Sequence, residues 1–169
     1  MKSFQTRLGI KSCKNYHQAE TFTKLEPDSD SASIARKQKL SSFLKRVLVV
    51  DDDPDITLAF KVGLDGYYSG NRRRFEVYAY NNPSIVLSEF KPNFYDLLLT
   101  DINMPHLNGF ELSQKILELD SNIRVCFMSA ADVNIEALRE VYPEVDFGSF
   151  VKKPVGIKYL AKILLAEFI

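Results

Sequence analysis

Several polar side chains that could share one site stand just past apolar runs in this sequence. Val47-Leu48-Val49-Val50 is followed by Asp51-Asp52-Asp53, Leu97-Leu98-Leu99 by Thr100-Asp101, Cys126-Phe127-Met128 by Ser129, and Phe150-Val151 by Lys152-Lys153-Pro154. If these runs are strands of one open sheet, the residues beyond their carboxyl ends border a common crevice. At least three carboxylates, a hydroxyl and an ammonium group then converge. Two carboxylates 4 Å apart repel by up to about 4 kcal/mol at an effective dielectric of 20. Either a proton on one carboxyl offsets that repulsion, or a divalent cation and a lysine do. An oxygen donor set without histidine suits a hard ion, and a few carboxylates completed by water and phosphate oxygens are what Mg²⁺ prefers. An aspartate beside such an ion, with a lysine and a hydroxyl at hand, has the parts of a nucleophile that accepts a phosphoryl group.

The elements that must position these groups are legible from periodicity. Strands are expected at Val47 to Asp51, Phe75 to Ala79, Asp96 to Thr100, Ile123 to Met128 and Ser149 to Val151, with intervals long enough for crossover helices. Asp53-Pro54 and Asn82-Pro83 each place a capping side chain before a proline at the first helical position. Ile56, Ala59, Phe60, Leu64 and Tyr67 then recur with helical period, as do Ile157, Leu160, Ile163, Leu164 and Phe168 near the C-terminus. The apolar runs lack the alternation of a sheet with one wet face. They are therefore expected to be buried on both sides, in a parallel sheet covered by helices on each face, the doubly wound α/β class.

The 169 residues are 46% hydrophobic and 26% charged, an ordinary globular composition that excludes wholesale disorder or a fibrous repeat. Cys13 and Cys126 form no CxxC pair and only two histidines are present, so a disulfide framework or structural zinc site is not supported. No apolar run reaches the ~18 residues of a membrane span and no signal-peptide core is visible, so the expected location is the cytoplasm. The zero net charge conceals an asymmetry. Residues 1–45 carry 9 Lys/Arg against 4 Asp/Glu, and residues 46–169 carry 13 against 18. Residues 1–45 read as a basic, flexible N-terminal extension with a short apolar-striped helix expected around Ser33 to Leu44, and 46–169 as the folded domain.

Four segments, VLVVDDDPDI at 47–56, LLLTDINMPHLNGFEL at 97–112, CFMSA at 126–130 and FVKKP at 150–154, together resemble the motif regions of the response-regulator receiver domain of two-component signalling. The likeness covers nearly all of 46–169 and is to the single-domain, chemotaxis-regulator-like form. It implies a flavodoxin-like (βα)5 parallel sheet in strand order 2-1-3-4-5, and phosphorylation of one aspartate by a histidine kinase with Mg²⁺. Position by position, it implies that Asp101 is the phosphoacceptor, and that Asp51, Asp52, Asp101 and the backbone carbonyl of Asn103 hold the metal. It also implies that Lys153 and Ser129 contact the phosphoryl group and that Ser129 and Phe150 form the switch. The Lys153–Pro154 bond is cis by this resemblance, against about 5–6% for X-Pro bonds in general. Asn103 and Ala131 fall at the two positions that tune dephosphorylation in the family.

The upstream partner implied is a sensor histidine kinase or phosphotransfer protein. A downstream protein is expected to read the surface of the fourth helix, fifth strand and fifth helix, where a phosphorylation-dependent dimer is a further outcome. Neither direct nucleic-acid binding nor an output domain within the chain is expected. The domain is expected to signal rather than act as an enzyme, assisting only its own phosphorylation and dephosphorylation. Two alternatives compete with this reading. A Mg²⁺-dependent phosphohydrolase with Asp101 as turnover nucleophile would commonly carry a second acid two residues on, where this chain has Asn103. A phosphorylation-independent interaction module would not need the complete set of acidic pair, acceptor, hydroxyl and lysine. Other residues read more plainly: Asp53 as an N-cap, His106 as an exposed loop histidine, Cys126 as core. Of the adjacent lysines only one can face the site, and Lys153 is favoured by Pro154. The segment Gly66 to Arg74 reads as a long, basic, solvated connection.

Overall fold

A computed structural model describes residues 44–143 and 148–169. The expected flexible extension, 1–45, and the helix expected around Ser33 to Leu44 lie outside the described part except for Leu44 and Lys45, and Lys45 already belongs to the first strand rather than to the extension. Five parallel strands form the main sheet: β1 (Lys45–Val50), β4 (Phe75–Tyr80), β5 (Leu97–Asp101), β6 (Arg124–Ser129) and β7 (Phe150–Lys152), in the order β4-β1-β5-β6-β7. Counting only these strands, that is the expected order 2-1-3-4-5. The helices between them are α1 (Pro54–Asp65), α2 (Pro83–Glu89), α3 (Gly109–Leu119), α4 (Ile135–Val141) and α5 (Ile157–Ala166).

The unalternating apolar runs make sense once both faces are covered. Val47, Val49, Leu97, Leu99, Cys126 and Met128 pack on one side with Phe60 and Leu64 of α1 and with Leu160 and Leu164 of α5. Leu48, Val50, Leu98, Val125 and Phe127 pack on the other with Val86 of α2 and with Phe110, Leu112 and Ile116 of α3. Successive strand residues point to opposite faces, so every position needs an apolar side chain. Each large side chain fully withdrawn from water contributes roughly 1.5–3 kcal/mol. The register Val49↔Leu99↔Cys126 and Val50↔Thr100↔Phe127 aligns the carboxyl ends of β1, β5 and β6, which places the polar residues that follow them side by side.

The capping expectations hold at atomic detail. Asp53 accepts from the N–H groups of Asp55 at 2.9 Å and Ile56 at 3.4 Å, ahead of Pro54, and Asn82 accepts from Ser84 N–H at 2.9 Å. The buried face of α1 differs by one residue from expectation. Ala59 is exposed, while Thr57 is buried and returns its hydroxyl proton to Pro54 O at 3.0 Å, which removes the cost of burying it. The connection from Gly66 to Arg74 is not a plain loop. Tyr68–Ser69 (β2) and Arg72–Arg73 (β3) pair antiparallel as a small hairpin. Its turn starts at Gly70 with φ +60°, a backbone that glycine adopts without steric cost.

Candidate functional site

Three sequence-distant side chains meet at the carboxyl end of the sheet. Asp51 leaves β1, Asp101 ends β5, and Lys153 follows β7. The Lys153 ammonium lies 2.5 Å from Asp51 Oδ2 and 2.5 Å from Asp101 Oδ1. Two oxygens that share one nitrogen at that distance stand at most about 5 Å apart, well inside the range of strong mutual repulsion. Asp51 is 1% exposed and Asp101 6%. Main-chain donors hold the remaining carboxylate oxygens: Asp53 N–H reaches Asp51 Oδ1 at 3.1 Å, and Asn103 N–H reaches Asp101 Oδ2 at 2.7 Å. Both carboxylates are thereby oriented before any ligand arrives.

The charge balance is short of positive charge, since two buried carboxylates share one ammonium. Burial pushes the carboxyl of Asp51 up from its ordinary 3.8, with the Asp101 charge acting in the same direction, and the hydrogen bond from Lys153 only partly offsets this. For Lys153, burial works against the charge, but the hydrogen bonds to Asp101 and Asp51 outweigh it and hold the ammonium more firmly protonated than usual.

The other expected residues surround this core in different ways. Asp52 is exposed beside it. Asn103 is exposed at the start of the loop that follows Asp101. Ser129 is buried; its Oγ accepts from Ala131 N–H at 3.1 Å, and its carbonyl accepts from Lys153 N–H at 2.8 Å. Phe150 is half-buried and stacks on Phe127 with ring centroids 5.4 Å apart. The Lys153–Pro154 peptide bond is cis. Lys152 faces away and pairs with Asp132 at 2.5 Å, so the two lysines divide as alternation requires. His106 is exposed, and Cys126 lies in the core, where burial pushes its thiol up to about 12 and makes it inert at neutral pH.

One supporting feature at the start of α3 is readable from spacing alone. Asn108-x-x-Glu111 is a capping box: Asn108 Oδ1 accepts from Glu111 N–H at 2.9 Å while Glu111 Oε2 accepts from Asn108 N–H at 3.1 Å. It fixes the start of α3 where the loop after Asp101 ends.

The donor chemistry suits a small hard cation. Among the described residues no group of three or more His, Cys, Asp and Glu side chains forms a ready cage. Mg²⁺ does not require one, because it keeps several waters and binds through one or two carboxylates. Asp51 and Asp101 supply two fixed carboxylates, one of them made more basic by burial, and Asp52 stands adjacent and solvated.

Comparison with known proteins points to one family. The family model for the response regulator receiver domain matches residues 47–165. The response regulator receiver protein CpdR of Brucella abortus is 27% identical over 86 residues, covering 51% of this chain and 67% of that protein. The two-component response regulator ARR2 of Arabidopsis thaliana is 31% identical over 141 residues, 81% of this chain but 20% of that protein. The sensor protein EvgS of Escherichia coli K12 is 32% identical over 84 residues, 50% of this chain and only 6% of that protein. The chain thus spans a small part of its longer relatives. Among solved structures, the non-phosphorylated HemR receiver domain from Leptospira biflexa is 25% identical with a TM-score of 0.60, covering 72% of this chain and 92% of that one. A CheY-like response regulator receiver domain protein from Methanospirillum hungatei is 25% identical with a TM-score of 0.58, covering 73% and 93%. No helix among the described residues is long and apolar enough to cross a membrane. With a matching fold and a family model that spans most of its length, this chain belongs to the response regulator receiver domain family, the signalling domains of two-component systems.

Proposed function

We propose that Asp101 takes a phosphoryl group from the phosphohistidine of a kinase or phosphotransfer protein, and that the resulting acyl phosphate sets the conformation read by a downstream protein. The observation that carries this reading is the shared contact of Asp51 and Asp101 with Lys153. A buried, oriented, negatively charged crevice has one carboxylate positioned to attack and a second to balance an incoming cation. Asp51, Asp52, Asp101 and the carbonyl of Asn103 are the groups that would hold Mg²⁺, whose charge on the phosphoryl oxygens would supply the electrostatic stabilisation this transfer needs.

In the transfer, an oxygen of Asp101 forms a bond to phosphorus as the bond from phosphorus to the donor's imidazole nitrogen breaks. The electron pair of that bond stays with the leaving imidazole. Lys153, already against Asp101, turns its N–H groups to the phosphoryl oxygens as charge there grows. The Ser129 hydroxyl accepts from Ala131 N–H and keeps its own proton to donate, so it is suited to reach a second phosphoryl oxygen. Any such movement of Ser129 acts on β6, where Phe127 stacks on Phe150, and so couples the site to the aromatic side chain on β7. Hydrolysis reverses the state: water attacks phosphorus, the acyl oxygen–phosphorus bond breaks, phosphate leaves and the Asp101 carboxylate is restored.

Amide NMR with Mg²⁺ and beryllofluoride, a mimic of the acyl phosphate, tests this reading. Signals of Asp101, Ser129, Ala131, Phe150 and Lys153 should move together only when both additives are present. Steady release of phosphate from a generic phosphomonoester, with no such shift, would favour the phosphohydrolase instead.

A further inference from the structure

The acceptor loop, residues 102–108, starts and ends on nearly the same main-chain atoms. Ile102 N–H donates to Met128 O at 2.9 Å, and Gly109 N–H returns to Ile102 O at 3.0 Å. The Asn108–Glu111 capping box then locks the first turn of α3. Gly109 is the first residue of that helix and is buried. A Cβ built on it would stand 2.2 Å from the carbonyl oxygen of Asp101, 3.0 Å from its carbonyl carbon and 3.2 Å from the Cα of Ile102. All three are main-chain atoms, so no rotamer change can relieve the overlap. Either Asp101 shifts or the helix start backs away.

We propose that Gly109 is a positioning residue for the phosphoacceptor, because the absence of a side chain lets α3 seat directly on the Asp101 carbonyl and so fixes the reach of its carboxylate toward Lys153. The inference rests on Asp101 being the acceptor and adds what holds it in place. Misplacement of a reacting group by even 1 Å can cost on the order of 100-fold in rate. A side chain at 109 therefore lowers the rate of transfer more than it lowers stability.

Gly148 provides the control, since a Cβ there would stand 2.2 Å from the carbonyl oxygen of Val125, an equal clash with a strand carbonyl at the opposite end of the sheet. Adduct formation from a small acyl phosphate at saturating Mg²⁺ is measured by intact mass for the parent, Gly109→Ala and Gly148→Ala, with thermal unfolding and metal-free amide NMR on each. Gly109→Ala should be slower by about tenfold or more, with displaced signals centred on Asp101 to Asn103 and Met128, while Gly148→Ala keeps the parent rate whatever it loses in stability. A folded Gly109→Ala with parent rate and signals overturns the proposal, as does an equal loss of rate in both variants. If the parent itself takes up no phosphoryl group, the acceptor reading fails, and the metal-free signals of Gly109→Ala still decide the positioning claim. Should Gly109→Ala not fold, Asn108→Ala loosens the same helix start without a clash. It should slow transfer by about threefold, as expected of a smaller displacement, and shift the same signals; parent behaviour on both counts overturns the proposal.

Discussion

At the carboxyl end of the sheet two carboxylates, Asp51 and Asp101, share one ammonium group. At the outer edge of β4 the ratio is inverted, and one carboxylate, Asp65, takes two cations. Arg73 reaches Asp65 Oδ1 at 2.7 Å and Lys61 reaches Oδ2 at 3.2 Å. That second cluster also serves the backbone: Val77 N–H donates to Asp65 Oδ1 at 2.9 Å, and Lys61 donates to Val77 O at 2.6 Å. β4 is an edge strand, and these contacts occupy main-chain groups that would otherwise be open to pairing with another chain. The two clusters use the same residue types for different ends. Surplus cation makes a satisfied structural lock, whereas surplus carboxylate makes a site with an unmet need for positive charge.

Their titration follows the same division. At Asp65 burial pushes the carboxyl up, but the hydrogen bonds from Val77, Arg73 and Lys61 outweigh it, and the net direction is down from 3.8. At Asp51 burial prevails and the net direction is up from 3.8. Ionised Asp65 therefore adds stability that is present above the ordinary carboxylate range and lost as pH falls through its lowered value. Asp51 acts with the opposite sign: the folded state holds its proton more tightly than the unfolded chain does, so its contribution is lost as pH rises through the raised value.

Four substitutions probe the difference between the two clusters. Lys153→Met leaves two buried carboxylates without their ammonium and should lower stability at pH 7 by about 3 kcal/mol. Denaturant melts should show that loss shrinking as pH falls and the carboxylates take up protons. Asp65→Asn should cost about 1–2 kcal/mol at pH 7 and leave phosphoryl uptake unchanged, again with a difference that fades in acid. Asp51→Asn should have the opposite sign, raising stability at neutral pH by on the order of 1 kcal/mol while impairing metal-dependent phosphorylation. A loss of stability in that variant would contradict the charge-surplus view of the site. Lys152→Ala removes only the exposed pair with Asp132, which solvent screens, and should leave the melt essentially unchanged.

The central strands β1, β5 and β6 were legible because both faces are buried, so no polar residue interrupts the runs 47–50, 97–99 and 125–128, and their ends delivered the candidate residues at once. The helix starts were legible because Asp53-Pro54 and Asn82-Pro83 carry their own local chemistry. Thr57 was not, since its burial depends on a hydroxyl bonded within its own helical turn, which apolar periodicity does not register. The hairpin at 68–73 escaped because strands of two residues have no period; its Gly70-Asn71 dipeptide was the available sign. At the site, spacing identified Asp51, Asp101 and Lys153 as neighbours and a surplus of carboxylate over ammonium, but it expected at least three converging carboxylates where two meet Lys153. Consecutive residues leaving a strand diverge, so Asp51 is buried against Lys153 while Asp52 is exposed. The close seating of Gly109 on Asp101 is likewise a three-dimensional fact that no one-dimensional pattern encodes.

In the proposed function, Asp101, held by Lys153 and supplied with a divalent cation, is the carboxylate that receives the phosphoryl group. Intact mass of the parent and of Asp101→Asn after incubation with a small acyl phosphate, with and without Mg²⁺, tests it directly. A single phosphoryl adduct is expected in the parent, formed only with Mg²⁺, and none in the variant; an adduct that persists in Asp101→Asn would place the acceptor elsewhere.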